Sequence, residues 1–136
     1  MADVRGTLGQ NVDGDLYLNG FLLENNAQVI GADAATTLTA AQLINTVVEG
    51  PVTAARTYTT DTAANIDAAL PSPKVGDTFT TLVCNTAAGA FAITLAAGAG
   101  VTLKGSTTTI GQNKQAQLTW YRTGAAAWNC YVTVSA

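Results

Sequence analysis

Histidine is absent from this 136-residue chain. That removes Ser-His-Asp and Cys-His nucleophile pairs and any His-ligated metal. Cysteine is nearly absent as well. Cys84 and Cys130 are the two present, with no CxxC spacing, so a classical zinc site is not expected. Both lie in apolar, β-branched runs ("TLVCN", "WNCYVTV") and read as small core residues. A disulfide would need their strands to lie side by side, which spacing does not reveal. Charge is scarce: 11% of residues are Asp, Glu, Lys or Arg, against ~25% in an average soluble domain. The six cations stand far apart, so the grouped phosphate contacts of nucleic-acid binding are not expected. No run approaches the ~18–20 apolar residues that cross a bilayer, so no membrane partner is expected. The opening "MADVRGTLGQNVDG" lacks a signal peptide's apolar centre, and the chain is expected to be made in a cytoplasm. So little charge leaves two readings of the surface. Either copies or a partner cover it, or it is a neutral, Thr-covered β surface.

What is present is Ala, Thr and short apolar runs, enough for one domain with a core of its own. Residues 1–37 read as an arm. Within it Asn19-Gly20, between Leu16-Tyr17-Leu18 and Phe21-Leu22-Leu23, is a hairpin signal, because both residues tolerate the positive φ of a type I′ turn. A lone hairpin is marginal in water and must pack on something: its own domain, a neighbouring subunit or a larger surface.

Residues 38–136 read as the main domain. In "TLTAAQLINTVVEGP" the Thr39/Gln42 spacing is a capping box and predicts a short helix before Gly50-Pro51, although "TVVEG" suits a strand equally well. "ARTYTT" alternates as a strand. Thr62 can cap "AANIDAAL", with Ile66 and Leu70 on one side, and Pro71 and Pro73 stop that helix. "VGD" then turns into "TFTTLVCN", apolar on both faces, as expected of a central strand covered on both sides. Further strands follow in "FAITL", "VTL", "AQLTWYR" and "WNCYVTV". With short turns and no βαβ rhythm, the expected fold is all-β. It is an antiparallel β-sandwich or barrel-like, jelly-roll-like domain with one or two short helices and an N-terminal hairpin arm.

Candidate chemistry is sparse. Asp61, Asp67 and Asp77 surround the second helix, and paired carboxylates serve glycosidases when ~5–10 Å apart. Helix and turn roles explain Asp61 and Asp77 more economically. "NVDGDLY" (Asn11, Asp13, Asp15) loosely resembles a calcium loop. Leu16 and Leu22 stand where an EF-hand needs Gly and Glu, so the pattern fails. "GAGVTLKG" lacks the P-loop signature and reads as a hairpin turn. Trp120 and Trp128 fall on the apolar faces of their strands. Tyr121 and Tyr131 fall on the opposite faces, where packing, a partner or a glycan would meet them. No catalytic residue, metal or cofactor is expected.

Three stretches carry a resemblance: "TAANIDAALPSPKVGDTFTTLVCNT", "ITLAAGAGVTLKGS" and "LTWYRTGAAAWNCYVTV". Residues from about 49 to 134 resemble a small β-rich module in the virion proteins of tailed bacteriophages. The resemblance implies a non-enzymatic structural subunit, a capsid decoration (cement) protein. Its partner would be the major capsid protein, it would form a homo-oligomer, typically a trimer, and it would sit on the capsid surface after assembly in the host cytoplasm. The shared positions are turns and core, so no functional residue transfers. The apolar arm residues Leu16, Tyr17, Leu18, Phe21, Leu22 and Leu23 are the candidate partner interface, on the capsid or between subunits. The rival reading is a glycan- or host-recognition module on a tail or fibre, carried by exposed Tyr121 and Tyr131 together with acidic loop residues.

Overall fold

The computed structural model describes residues 27–136. The candidate interface Leu16–Leu23 and the acidic run Asn11–Asp15 lie outside the described residues. The described chain is mostly β. In order it forms β1 (Ala27–Ile30), β2 (Thr36–Leu38), α1 (Ala40–Leu43), β3 (Thr46–Gly50), β4 (Arg56–Thr60) and α2 (Ala63–Ala69). Then come β5 (Thr78–Asn85), β6 (Ile93–Ala96), β7 (Val101–Lys104), β8 (Thr109–Ile110), β9 (Gln115–Gly124) and β10 (Ala127–Val134). One sheet has six strands in the order β1-β3-β5-β9-β10-β7, and the other has four in the order β2-β4-β6-β8. The 27–37 portion of the expected arm therefore contributes β1, and two of the three residues of β2, to these sheets.

From β1 to β8 each successive strand enters the other sheet. The chain winds as a coil, so β1, β3 and β5 lie parallel in one sheet and β2, β4 and β6 lie parallel in the other. With β7 on β10, five of the eight pairings are parallel. The expected antiparallel arrangement is thus corrected to two mixed sheets. A parallel pair needs a long crossover. Here the intervening strand, lying in the opposite sheet, provides it. The Gly98–Gly100 turn that opens "GAGVTLKG", expected to close a hairpin, instead carries the chain from β6 in one sheet to β7 in the other.

That step depends on close approach. A methyl group on Gly98 would fall 2.5 Å from the Thr60 carbonyl oxygen and also on that of Asp61. The Gly98 amide donates to Thr60 Oγ1 at 2.9 Å, which holds the turn against β4. Gly98→Ala should cost about 1–3 kcal/mol, because backbone must move to admit the methyl. Chemical denaturation checks this, and an unchanged midpoint would contradict the close approach.

The local signals act as their chemistry dictates. Gln42 Oε1 accepts from the Thr39 amide at 3.0 Å, but α1 is a single turn. Asn45 then takes φ 50 and the chain enters β3, the strand reading of "TVVEG". Thr62 Oγ1 accepts from the Asn65 amide at 3.2 Å and caps α2, which ends before Pro71. The inward residues of both sheets form one apolar core, including Val48, Tyr58, Val83, Ile93, Leu95, Ile110, Leu118, Trp120 and Trp128. Among the described residues no helix is long and apolar enough to cross a membrane.

Candidate functional site

Asp61, before α2, Asp67, within it, and Asp77, beyond it, each accept from a different set of donors. Asp67, on α2, accepts from Arg122 Nε at 2.9 Å and from its terminal nitrogen at 2.7 Å. It also accepts from the Ala126 amide and from Trp128 Nε1, each at 2.8 Å. Four donors on β9, β10 and the turn between them thus meet one carboxylate. The Arg122 hydrogen bonds hold the Asp67 carboxyl well below the usual carboxylate range, outweighing the opposing effect of burial. Asp61 Oδ2 accepts from the Ala40 amide at 2.8 Å, satisfying the first turn of α1. Its Oδ1 accepts from the Thr62 amide at 2.8 Å and from Asn65 Nδ2 at 2.7 Å. Burial pushes Asp61 up, but these bonds together bring it below its ordinary value. Asp77 Oδ2 accepts from the Lys74 amide at 2.7 Å and closes the "VGD" turn. A general acid needs a raised pKa and a free face. Asp61 and Asp67 have lowered values, and all three carboxylates are committed to structural donors.

A fourth carboxylate, Asp33, ties the β1–β2 connection to β4. It accepts from the Thr53 hydroxyl and amide and from Arg56 Nε at 2.9 Å, and these bonds bring it down to about 2. Sequence reading missed Asp33–Arg56 and Asp67–Arg122 as pairs. For Arg122 a signal existed: it shares the inward parity of Leu118 and Trp120, and a cation there requires an acid.

Both tryptophans enter the core, 0% and 1% exposed, and Phe79 stacks on Trp120 with centroids 5.2 Å apart. Both cysteines are free thiols. Cys130 is buried in the core, where burial pushes it up to about 12. Cys84 is half-buried on the opposite face of the six-stranded sheet. Among the described residues no group of His, Cys, Asp and Glu is placed to hold a metal ion.

What remains is that outer face. Among the described residues nothing packs over it, so the central strand β5 is covered on one side there and not on two. Residues opposite one another across the strands form rows. Ile30, Glu49, Cys84 and Gln115 make one, and Gln28, Val47, Leu82 and Gln117 the next. Thr80, Thr119, Tyr131 and Lys104 follow, then Thr78, Tyr121, Asn129 and Thr102. Glu49 and Lys104 are the only charges in these rows. Tyr121 is 40% exposed and Tyr131 46%. A shallow depression of about 230 Å³ opens over Val47 and Leu82, edged by Asn45, Thr80 and Gln117. Such a face suits docking of a broad, weakly charged surface, with two aromatic side chains standing proud of it.

No family model, curated protein or solved structure matches this chain.

Proposed function

We propose that this protein is a structural subunit of a tailed-bacteriophage virion, a decoration (cement) protein that braces the capsid from outside. In this reading the two sheets face one another as a jelly-roll-like sandwich. The protein acts by burying surface between its own copies and on the major capsid protein, without catalysis, cofactor or nucleic acid. The observation that carries the reading is the nearly uncharged outer face of the six-stranded sheet. Beside it, Asp61, Asp67 and Asp77 are each committed to structural donors. Many equivalent weak contacts on one shell add avidity.

The arm residues Leu16–Leu23 are assigned to the shell contact. Deleting residues 1–26 keeps every described strand. The truncated protein should fold with a cooperative transition yet fail to sediment with capsids that the full chain decorates. Normal decoration by the truncated chain would remove the arm from the contact.

A second reading has its own observation. Tyr121 and Tyr131 are diagonal neighbours, flanked by Asn129 and Thr119, and aromatic faces beside amides and hydroxyls are what sugars stack on. A tail or fibre module recognising host glycans would use them. Clear hits on a glycan array, lost in a Tyr121→Ala/Tyr131→Ala double variant, would favour that reading over the cement role.

A further inference from the structure

We propose that the outer face of the six-stranded sheet receives a second copy of this chain. The two copies are related by a twofold axis through Gln117 that sets Glu49 of each against Lys104 of the other. This goes beyond the virion reading and does not depend on it.

The register fixes the axis. Glu49 lies on β3, the second strand of the sheet, in the row of Gln115. Lys104 lies on β7, the sixth, in the row of Thr119 and Tyr131. Midway between them is the fourth strand, β9, in the intervening row, and the residue there is Gln117. A twofold lying along the face through that point, perpendicular to the line between the two charges, exchanges them. Both ion pairs then form at once, as an isologous contact requires.

Charge alone chose that axis, and shape agrees with it. With the sheet taken as flat, strands ~4.8 Å apart and ~3.3 Å per residue, the same rotation brings Tyr131 within about 4 Å of Val47 and Leu82 in projection. Those two residues help line the depression on this face. Among the described residues the most exposed aromatic on the face thus meets this hollow, and does so twice. Gln117 meets its own copy, and a carboxamide carries both donor and acceptor. Strands of the two copies cross at about 70°, nearer the orthogonal than the aligned class of sheet packing. The rows span roughly 24 Å by 20 Å. Corrugation by the two tyrosines raises the accessible area above that projection, toward the ~800 Å² per partner of a standard interface.

The test is a charge exchange on the full-length chain, read by sedimentation velocity. Wild type should run as a dimer. Glu49→Lys and Lys104→Glu should each weaken association at least about tenfold, because each sets like charges together twice. Mixing the two single variants should restore dimers, as should the Glu49→Lys/Lys104→Glu double variant. Tyr131→Glu should abolish association, and no partner variant should rescue it. All these sites are exposed or half-buried, and circular dichroism verifies that each variant is folded. A monomeric wild type would overturn the proposal: residues 1–26 or a different protein would then be the occupant. An oligomer indifferent to the single variants would also overturn it, as would a mixture that fails to re-form dimers.

Discussion

Trp120→Ala should lower the free energy of unfolding by about 3–5 kcal/mol, the usual cost of emptying a buried aromatic site. The indole is fully buried, stacked at 5.2 Å on Phe79, and donates from Nε1 to Thr81 Oγ1 at 3.1 Å. Thr81 Oγ1 in turn donates to the Leu43 carbonyl at the end of α1. Truncation therefore empties a large volume, strips Phe79 of its stacking partner and removes a donor from a buried hydroxyl. Against a typical total of 5–15 kcal/mol, much of the stability disappears. The thermal midpoint should fall by about 12–20 °C. Trp120→Phe keeps the stack and loses the donor, so it should fall between wild type and the alanine variant. A loss below about 1 kcal/mol for alanine would mean that the ring is not packed in the core.

Asp67→Ala should have the next largest effect. It strands three groups together: the Arg122 guanidinium, the Trp128 indole N–H and the Ala126 amide. Arg122 is only 8% exposed, so water compensates poorly for the missing carboxylate. The thermal midpoint at neutral pH should drop by about 10 °C. The same contact predicts an acid response. A carboxyl held low in the folded state stabilises above its unfolded value of about 3.9, and that contribution fades as pH falls from there toward the folded value. Asp67→Asn removes the titrating group. Its stability should fall less steeply than wild type below about pH 4, with Asp33 and Asp61 supplying the remaining slope. Equal slopes would show that Asp67 is not charge-paired in solution.

Much of the β content was legible because strands write their period into the sequence. Val83, Leu118, Trp120, Trp128 and Cys130 all fall at inward positions that alternation picks out. Thr62 and the prolines bounded α2 for reasons local to eight or ten residues. The sheet to which each strand belongs was not legible. A Gly-rich turn looks alike whether it folds a strand back on its neighbour or lifts it into the opposite sheet, so the parallel ladders were missed. The "TVVEG" ambiguity was decided by tertiary pairing of Val47 and Val48 with Leu82 and Val83. Asp67 and Arg122 stand 55 residues apart, too far for any spacing rule to join them. The outer face became visible only when four rows from six strands were assembled. It has no motif, and its signature is the small number of charges spread across it.

The winding also sets the order in which the molecule can be completed on a ribosome. β9 fills the middle of the six-stranded sheet, between β5 and β10, and β7 joins that sheet only through β10. A nascent chain that has emerged only as far as Asn113 holds β5 with one edge unsatisfied and β7 with nothing to pair to. Such bare edges template wrong pairings. The interval between the emergence of β7 and that of β9 and β10 should therefore be the one of greatest dependence on chaperones, and those two strands act as the clasp that ends it.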